Sequence, residues 1–368
     1  MVPPSDLPFA TGDITPEWLT RALNEAGVLA GATVVSYRHE AVPGGSGLFG
    51  TVERLVPEYD RPDSAAPRSL IVKIPIADEG PRSIGMALRI YERELLFYRD
   101  LAQHVPLTTP RCYSAAMDPE CGRFVLLLED LSGRRLGDQV VGWSVEDAEI
   151  AVAQLAKLHS TAWGEHGLEG YDWLPAANAP ELLGLIQGGY QQCWAPFTDN
   201  FGDHLPASIL TAGETLATKL PALSDVLAAS PRTLVHGDYR MDNMIFGVSP
   251  QDPPFSIIDW QLVARARGVF DFAYFMAQGG DPDRRKANEM RLLERYHALL
   301  MENGIDDYAF DECLRDYRAS ILYGLVYIVI SVGSLENADE RMRKLFGVAL
   351  ERTVRAIIDL DATELMPA

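Results

Sequence analysis

The chain has 368 residues, with 52 Asp and Glu against 32 Lys and Arg, giving a formal net charge of −20 at pH 7. So acidic a balance offers no footprint for the phosphate backbone of a nucleic acid, and anionic membrane surfaces repel it. With 47% hydrophobic and 23% charged residues, the composition is that of a folded globular protein rather than a disordered one.

Residues Met1 to Ala10 show neither the basic nor the apolar region of a signal peptide, so a cytoplasmic location is the expectation. The first helix is expected over Glu17 to Ala26, capped by Thr15, entered through Pro16 and stopped by Gly27. Short β-branched runs follow at Thr33–Tyr37, Thr51–Val56, Leu70–Ile74 and Phe124–Leu128, with Pro57 to Arg68 as a loop. One helical stretch, about Ser83 to Gln103, interrupts them.

Beyond Glu129 the texture becomes helical. Ser144 with Asp147 resembles a capping box, and Ala148, Ala151, Val152, Leu155 and Leu158 follow helical spacing. Further helices are expected near 181–194, 207–229, 282–303, 309–332 and 338–359. A β island at Thr233–Val235, Met244–Phe246 and Ser256–Ile258 lies among them. The apolar run Ile321 to Val332 is too short to span a bilayer and reads as a buried helix. Four cysteines, Cys112, Cys121, Cys193 and Cys313, form no C-x-x-C. They are expected as free core thiols, with a Cys112/Cys121 pair across a hairpin as the alternative. The expected organisation is α+β. A β-rich N-terminal lobe over 1–128 joins a larger, mainly helical lobe over 129–368.

The chemistry is concentrated in His236-Gly237-Asp238-Tyr239-Arg240-Met241-Asp242-Asn243, with Asp259 16 residues beyond Asn243. A strand ends in Asp, an Asn follows, and a second strand ends in another Asp. Phosphoryl transfer asks for this set: a carboxylate to orient and deprotonate the attacking hydroxyl, then an amide oxygen and a carboxylate for Mg²⁺. The plain alternative is a hairpin whose Asp and Asn only satisfy turn backbone. Upstream, Gly45-Ser46-Gly47-Leu48-Phe49-Gly50-Thr51-Val52 fits G-x-G-x-x-G-x-V and reads as a glycine-rich hairpin over nucleotide phosphates, with a plain glycine loop as the alternative. A β-branched run follows it, where a dinucleotide-binding turn would need a helix. Lys73 ends the apolar strand Leu70 to Lys73, and Glu92 or Glu94 on the next helix is its expected partner. Glu94 is preferred because it adjoins the apolar stripe of Leu95, Tyr98 and Leu101.

This ordered set resembles the aminoglycoside phosphotransferase / choline kinase superfamily, which has a bilobal protein-kinase-like fold. Glu94-Leu95-Leu96-Phe97-Tyr98, Leu128-Glu129-Asp130-Leu131, Leu155-Ala156-Lys157-Leu158-His159 and Ile258-Asp259-Trp260-Gln261 bring it nearest to the ecdysteroid-kinase-like and choline-kinase-like small-molecule kinases. The resemblance implies Asp238 as catalytic base, Asn243 and Asp259 as Mg²⁺ ligands, and Lys73, held by Glu94, on the phosphates of ATP. Gly45, Gly47 and Gly50 would cover those phosphates, and backbone groups of the hinge from Glu129 to Leu131 would bind adenine. His236 would brace the metal-binding segment. Arg240 is read as a γ-phosphate clamp, with a surface salt bridge as the alternative, and His159 as a buried, hydrogen-bonded helix residue.

Only 11 residues separate Asp259 from Asp271, and no Ala-Pro-Glu follows. A protein kinase would need a long activation loop there, so the expected acceptor is a small molecule bearing a hydroxyl. A catalytically silent nucleotide-binding or scaffold protein is the alternative, and a protein kinase a more distant one. Aromatics at Trp194, Trp260, Tyr323 and Tyr327 are candidates either for caging a cationic acceptor or for plain core.

Overall fold

The computed structural model describes residues 7–120, 122–332, 335 and 338–368, and the backbone alone for 43–46. Cys121 therefore lies outside the described residues, and Cys112 and Cys313 are free thiols. The chain divides into two units, Met1–His104 with Thr108–Arg134, and Val105–Leu107 with Arg135–Ala368.

In the first unit, the Thr15 hydroxyl accepts the Trp18 amide at 3.1 Å and Pro16 takes the first position of helix α1, Pro16–Glu25. Strands β1 (Val34–Ser46), β2 (Gly50–Tyr59), β3 (Leu70–Pro75), β4 (Cys112–Asp118) and β5 (Arg123–Glu129) form an antiparallel sheet in the order β1-β2-β3-β5-β4. Leu70, Val72 and Ile74 of β3 pack with Val125 and Leu127 against Trp18, Leu19, Ala22 and Leu23 of α1. Fully burying a leucine such as Leu19 or Leu23 contributes roughly 1.5–3 kcal/mol, so this face anchors the sheet. Strand alternation sends Lys73 to the opposite face.

Two features of the first unit differ most from the sequence expectation. β4 is an additional strand; its residues are all partly exposed, so no in–out alternation marks it. The helix expected over about 83–103 is broken into α2 (Glu79–Ala87) and α3 (Ile90–Leu96), the latter running into a π-turn over Phe97–Leu101. Arg89 makes the break in the left-handed region at φ 55°, its guanidinium held on Glu92 at 2.8 Å. Neither Gly nor Pro stands there to announce it.

The second unit contains β6 (Arg135–Leu136), α4 (Val145–Thr161), α5 (Pro180–Phe201), α6 (Ala207–Leu227), β7 (Thr233–Val235), β8 (Met244–Phe246), β9 (Phe255–Ile257), β10 (Ala264–Ala266), α7 (Val269–Gly279), α8 (Pro282–Glu302), α9 (Phe310–Ser331) and α10 (Glu340–Asp359). The Ser144 hydroxyl caps α4 by accepting the Asp147 amide at 3.0 Å. The Asp147 carboxylate turns away to Arg135 at 2.5 Å, so the reciprocal half of a capping box does not form. α9 is buried along most of its length, as its apolar run requires. No described helix is long and apolar enough to cross a membrane. The short strands pair as β6-β8-β9 and as β7-β10, and they carry the loops that matter next.

Candidate active site

The first unit places three of the expected elements together. Gly47 donates its amide to the Gly50 carbonyl at 2.9 Å, closing the turn between β1, which contains Gly45, and β2. A Cβ on Gly50 would stand 3.3 Å from the Ile74 carbonyl oxygen and 3.4 Å from Lys73 Cε, so the turn lies tightly over Lys73. The turn is held from outside as well, because the Phe49 carbonyl accepts from the Tyr91 hydroxyl at 2.5 Å and from the Ile76 amide at 3.0 Å. Lys73 Nζ meets Glu94 Oε2 at 2.6 Å, and both side chains are buried. Glu92 faces out to Arg89 instead. At the end of β5, the Glu129 amide donates to the Arg111 carbonyl at 2.8 Å, and the Leu131 carbonyl accepts from Arg134 at 3.0 Å.

The second unit gathers the residues of the 236–243 segment and Asp259. The segment leaves β7 through Gly237 at φ +82°, where a Cβ would lie 2.3 Å from the Leu262 carbonyl oxygen. Asp271, on the first turn of α7, accepts the His236 amide at 2.6 Å and the Gly237 amide at 2.9 Å. His236 Nε2 donates to the Ile258 carbonyl at 3.0 Å, while Nδ1 accepts the Asp238 amide at 3.2 Å. One imidazole thereby ties the segment before Asp238 to the residue before Asp259. His159 is fully buried on α4, between the Tyr296 hydroxyl at 2.7 Å and Asp271 at 3.3 Å.

Asn243 donates its side-chain amide to the Asp238 backbone carbonyl and to Asp238 Oδ2, each at 2.9 Å. β8 and β9 pair in antiparallel register with Met244 opposite Ile257, and the Ile258 amide reaches the Asn243 carbonyl at 3.0 Å. That ladder brings Asn243 and Asp259 to the same strand ends. Asp259 itself adopts φ 67°, an uncommon left-handed conformation outside glycine that recurs where a site dictates the backbone. With the Asn243 nitrogen committed to Asp238, its amide oxygen is the atom left for another partner. This donor set suits a hard cation: an amide oxygen and a carboxylate, with waters and phosphate oxygens completing the shell. Among the described residues no group of three or more His, Cys, Asp or Glu forms a protein-only metal cage.

Arg240 Nε lies 3.1 Å from Asp238 Oδ2 and its Nη1 3.2 Å from Asp242 Oδ2. Tyr274, one turn beyond Asp271 on α7, lies within the electrostatic reach of the Asp238 carboxylate. Burial pushes the Asp238 carboxyl up, but the Arg240 charge, the neighbouring His236 and the hydrogen bonding of Arg240 outweigh it, holding the group below the usual carboxylate range. Tyr274 is pushed well above the usual phenol range by burial and by the Asp238 charge, so it stays a donor.

Sequence reasoning missed several members of this network. Gln139 accepts the Met241 amide at 2.9 Å through its side chain and donates its own amide to Asp242 at 2.8 Å. Arg341 on α10 approaches Asp242 at 3.3 Å. Gln139 and Arg341 stand about a hundred residues from the segment they brace, and no local pattern marks them. Tyr274 did carry a signal, its i, i+3 spacing from Asp271. Of the aromatic candidates, Trp260 is fully buried with its ring 4.6 Å from His236, and Tyr323 is buried beside Phe270. Trp194 stacks between Tyr190 and Phe197 within α5.

The sequence profile of the ecdysteroid kinase-like family matches residues 46–305, which includes the glycine turn, Lys73, Glu94, the 236–243 segment and Asp259. The chain belongs to that family. Over 200 residues it is also 26% identical to an Arabidopsis thaliana protein named "Probable acyl-CoA dehydrogenase IBR3", a stretch covering 53% of this chain. The chain spans about 23% of the length of that curated relative. Among solved structures, the GDP complex of wild-type aminoglycoside 2′-phosphotransferase-IIIa aligns with a TM-score of 0.54 at 15% identity, covering 87% of this chain and 93% of that one. Plasmodium vivax ethanolamine kinase aligns with a TM-score of 0.51 at 10% identity, covering 86% and 81%. At such identities the likeness is one of fold. This member of the ecdysteroid kinase-like family thus has a kinase-like α+β fold, with a β-sheet lobe and a larger helical part.

Proposed function

We propose that this family member is an ATP- and Mg²⁺-dependent phosphotransferase that phosphorylates a hydroxyl of a small molecule. The observation that carries the reading is the double hydrogen bond from the Asn243 amide to Asp238, made where the β8–β9 ladder brings Asn243 beside the Asp259 strand end. A base and a hard-cation donor set held in one rigid segment is what phosphoryl transfer needs, since its catalysis is mostly positioning and charge stabilisation.

In this reading Asp238 accepts the proton of the acceptor hydroxyl as its oxygen attacks the γ-phosphorus in line. Arg240, held against Asp238, reorients toward the γ-phosphate when nucleotide is present. Asn243 Oδ1 and Asp259 would hold Mg²⁺, which when bound neutralises charge on the phosphates. Lys73, oriented by Glu94, meets the phosphates, and the turn of Gly45, Gly47 and Gly50 covers them. The Leu131 amide and its hinge neighbours from Glu129 serve the adenine ring. The short segment between Asp259 and Asp271 supports a small acceptor over a peptide.

The test is transfer from [γ-³²P]ATP across a panel of alcohols, including amino alcohols, sugars and apolar ring alcohols. Asp238→Asn is expected to reduce transfer by at least ~10² while ATP still binds. A near-normal rate in that variant rejects the assignment, and transfer to protein hydroxyls alone would make this a protein kinase.

A further inference from the structure

The helix that carries Glu94 also reaches the glycine turn. On α3, Tyr91 stands three residues before Glu94, so the two side chains share a face. Glu94 takes Lys73 Nζ at 2.6 Å, and the Tyr91 hydroxyl donates to the Phe49 carbonyl at 2.5 Å. Phe49 immediately precedes Gly50, where a Cβ would come within 3.4 Å of Lys73 Cε. A closed circuit results. It runs from the turn to Lys73, from Lys73 to Glu94, and back along α3 through Tyr91 to the turn.

The phenol is firmly placed. Tyr91 is 1% exposed, and its ring centroid lies 5.4 Å from that of Phe124 on β5. Burial pushes the phenol above its usual range, so it remains a donor. Gly85 of α2 makes room for it, since a Cβ there would stand 2.9 Å from Tyr91 Oη and 3.0 Å from Cζ. An interior glycine weakens a helix relative to alanine. At Gly85 the space so left is filled by the side chain that holds the turn.

We propose that Tyr91 is a positioning residue for the nucleotide phosphates, tying the glycine turn to α3 so that one helix sets both the turn and the Lys73–Glu94 pair. The inference rests on the phosphotransferase reading, in which that turn covers the phosphates of ATP. The phenol acts at one remove. It fixes the Phe49 carbonyl before the ligand arrives, so less freedom is lost when the phosphates enter. Without the hydroxyl, that carbonyl keeps the Ile76 amide at 3.0 Å and loses its link to α3.

The experiment measures equilibrium binding of Mg²⁺-ATP and of adenosine by calorimetry, with no acceptor present. Tyr91→Phe keeps the ring packing and removes only the hydroxyl. Its Kd for Mg²⁺-ATP is expected to rise roughly 3- to 10-fold, the worth of one neutral hydrogen bond, while its Kd for adenosine stays at the wild-type value. Adenosine has no phosphates for the turn to cover, so a general loosening of the sheet would weaken both ligands alike. Gly85→Ala leaves Tyr91 in place in the sequence but crowds its phenol away from Phe49. It should weaken Mg²⁺-ATP to a similar degree, even though alanine favours the helix. The double variant should bind Mg²⁺-ATP about as well as the weaker single variant, because both changes break one contact. Hydrogen exchange without ligand should quicken at the Leu48, Phe49 and Gly50 amides of Tyr91→Phe and stay unchanged along β3 and β5. An unchanged Kd for Mg²⁺-ATP in Tyr91→Phe overturns the proposal, as does an equal loss for adenosine or full additivity of the two substitutions. The underlying reading is decided separately, by ³²P transfer to an alcohol. A wild-type chain that binds Mg²⁺-ATP yet transfers to none rejects that reading, while the binding data still decide the role of Tyr91.

Discussion

Asn243 and Asp238 are joined by a single side-chain amide that donates to both the carbonyl and the carboxylate of Asp238 at 2.9 Å. The amide NH₂ is thus spent inside the protein, and its orientation dictates where the Asn243 oxygen points. Asn243→Asp tests this directly, because it keeps an oxygen for the proposed metal while replacing the donor with a like charge facing Asp238. The expected result is a loss of ~10² or more in kcat with a raised Mg²⁺ requirement, although the substitution is isosteric. Coupled ADP-release assays across a Mg²⁺ titration measure both. An aspartate variant as active as the wild type would mean that the amide bond to Asp238 has no role in turnover.

The pH dependence follows from the surroundings of Asp238. As the proposed base it would work only when ionised, and its carboxyl titrates below the usual range because Arg240, His236 and Tyr274 outweigh burial. As pH falls, the ionised form therefore persists through the ordinary carboxylate range, and kcat/KM should show no acid limb from this group there. Arg240→Gln removes the largest of the lowering influences and leaves burial in place. The limb should then move to higher pH. A pH–rate profile of both proteins checks the direction, and coincident acid limbs would contradict it.

Where the sequence was legible, local physics decided the outcome. Thr15 and Ser144 cap helices because an Ncap hydroxyl satisfies an amide whatever the fold does elsewhere. Glu94 could be preferred as the partner of Lys73 from the apolar stripe of its own helix. Legibility fails where a long-range partner outbids the local one. The Asp147 carboxylate goes to Arg135 rather than back to its cap, and Trp260 is buried against His236 rather than turned toward an acceptor. β4 and the break at Arg89 lack the alternation or the glycine that would have announced them. Tyr274 is the instructive case. Its spacing from Asp271 was readable, but that Asp271 holds the segment carrying Asp238 is a tertiary fact.

Gly237 offers a prediction about the backbone. At φ +82° any L side chain is strained, and a Cβ would fall 2.3 Å from the Leu262 carbonyl oxygen, an immovable backbone atom. Gly237→Ala should therefore destabilise the protein by more than ~1 kcal/mol in urea unfolding, beyond the gain alanine makes in the unfolded chain. It should also displace the Asp271 hydrogen bonds on either side and lower kcat more than it changes the KM for ATP. An alanine variant of unchanged stability would show that the turn relaxes more easily than its packing indicates.

The Lys73–Glu94 pair predicts a contrast between two glutamates of one helix. Glu94 reaches Lys73 at 2.6 Å with both side chains buried, whereas Glu92 meets Arg89 at the surface. Removing one member of a buried pair strands the other charge, so Glu94→Ala should cost about 3–5 kcal/mol of stability. Glu92→Ala should stay within about 1 kcal/mol of the wild type, since an exposed pair is largely solvated whether or not it forms. Activity separates the structural share from the functional one. Under the proposed reading, Glu94→Gln releases Lys73 from its orientation toward the phosphates, so the KM for ATP should rise about tenfold even below the unfolding temperature. Glu92→Gln should leave that KM unchanged. Denaturant unfolding and ATP-dependence of turnover, measured on the same four variants, decide both points. Equal effects at the two positions would mean that Lys73 takes its orientation from the strand alone.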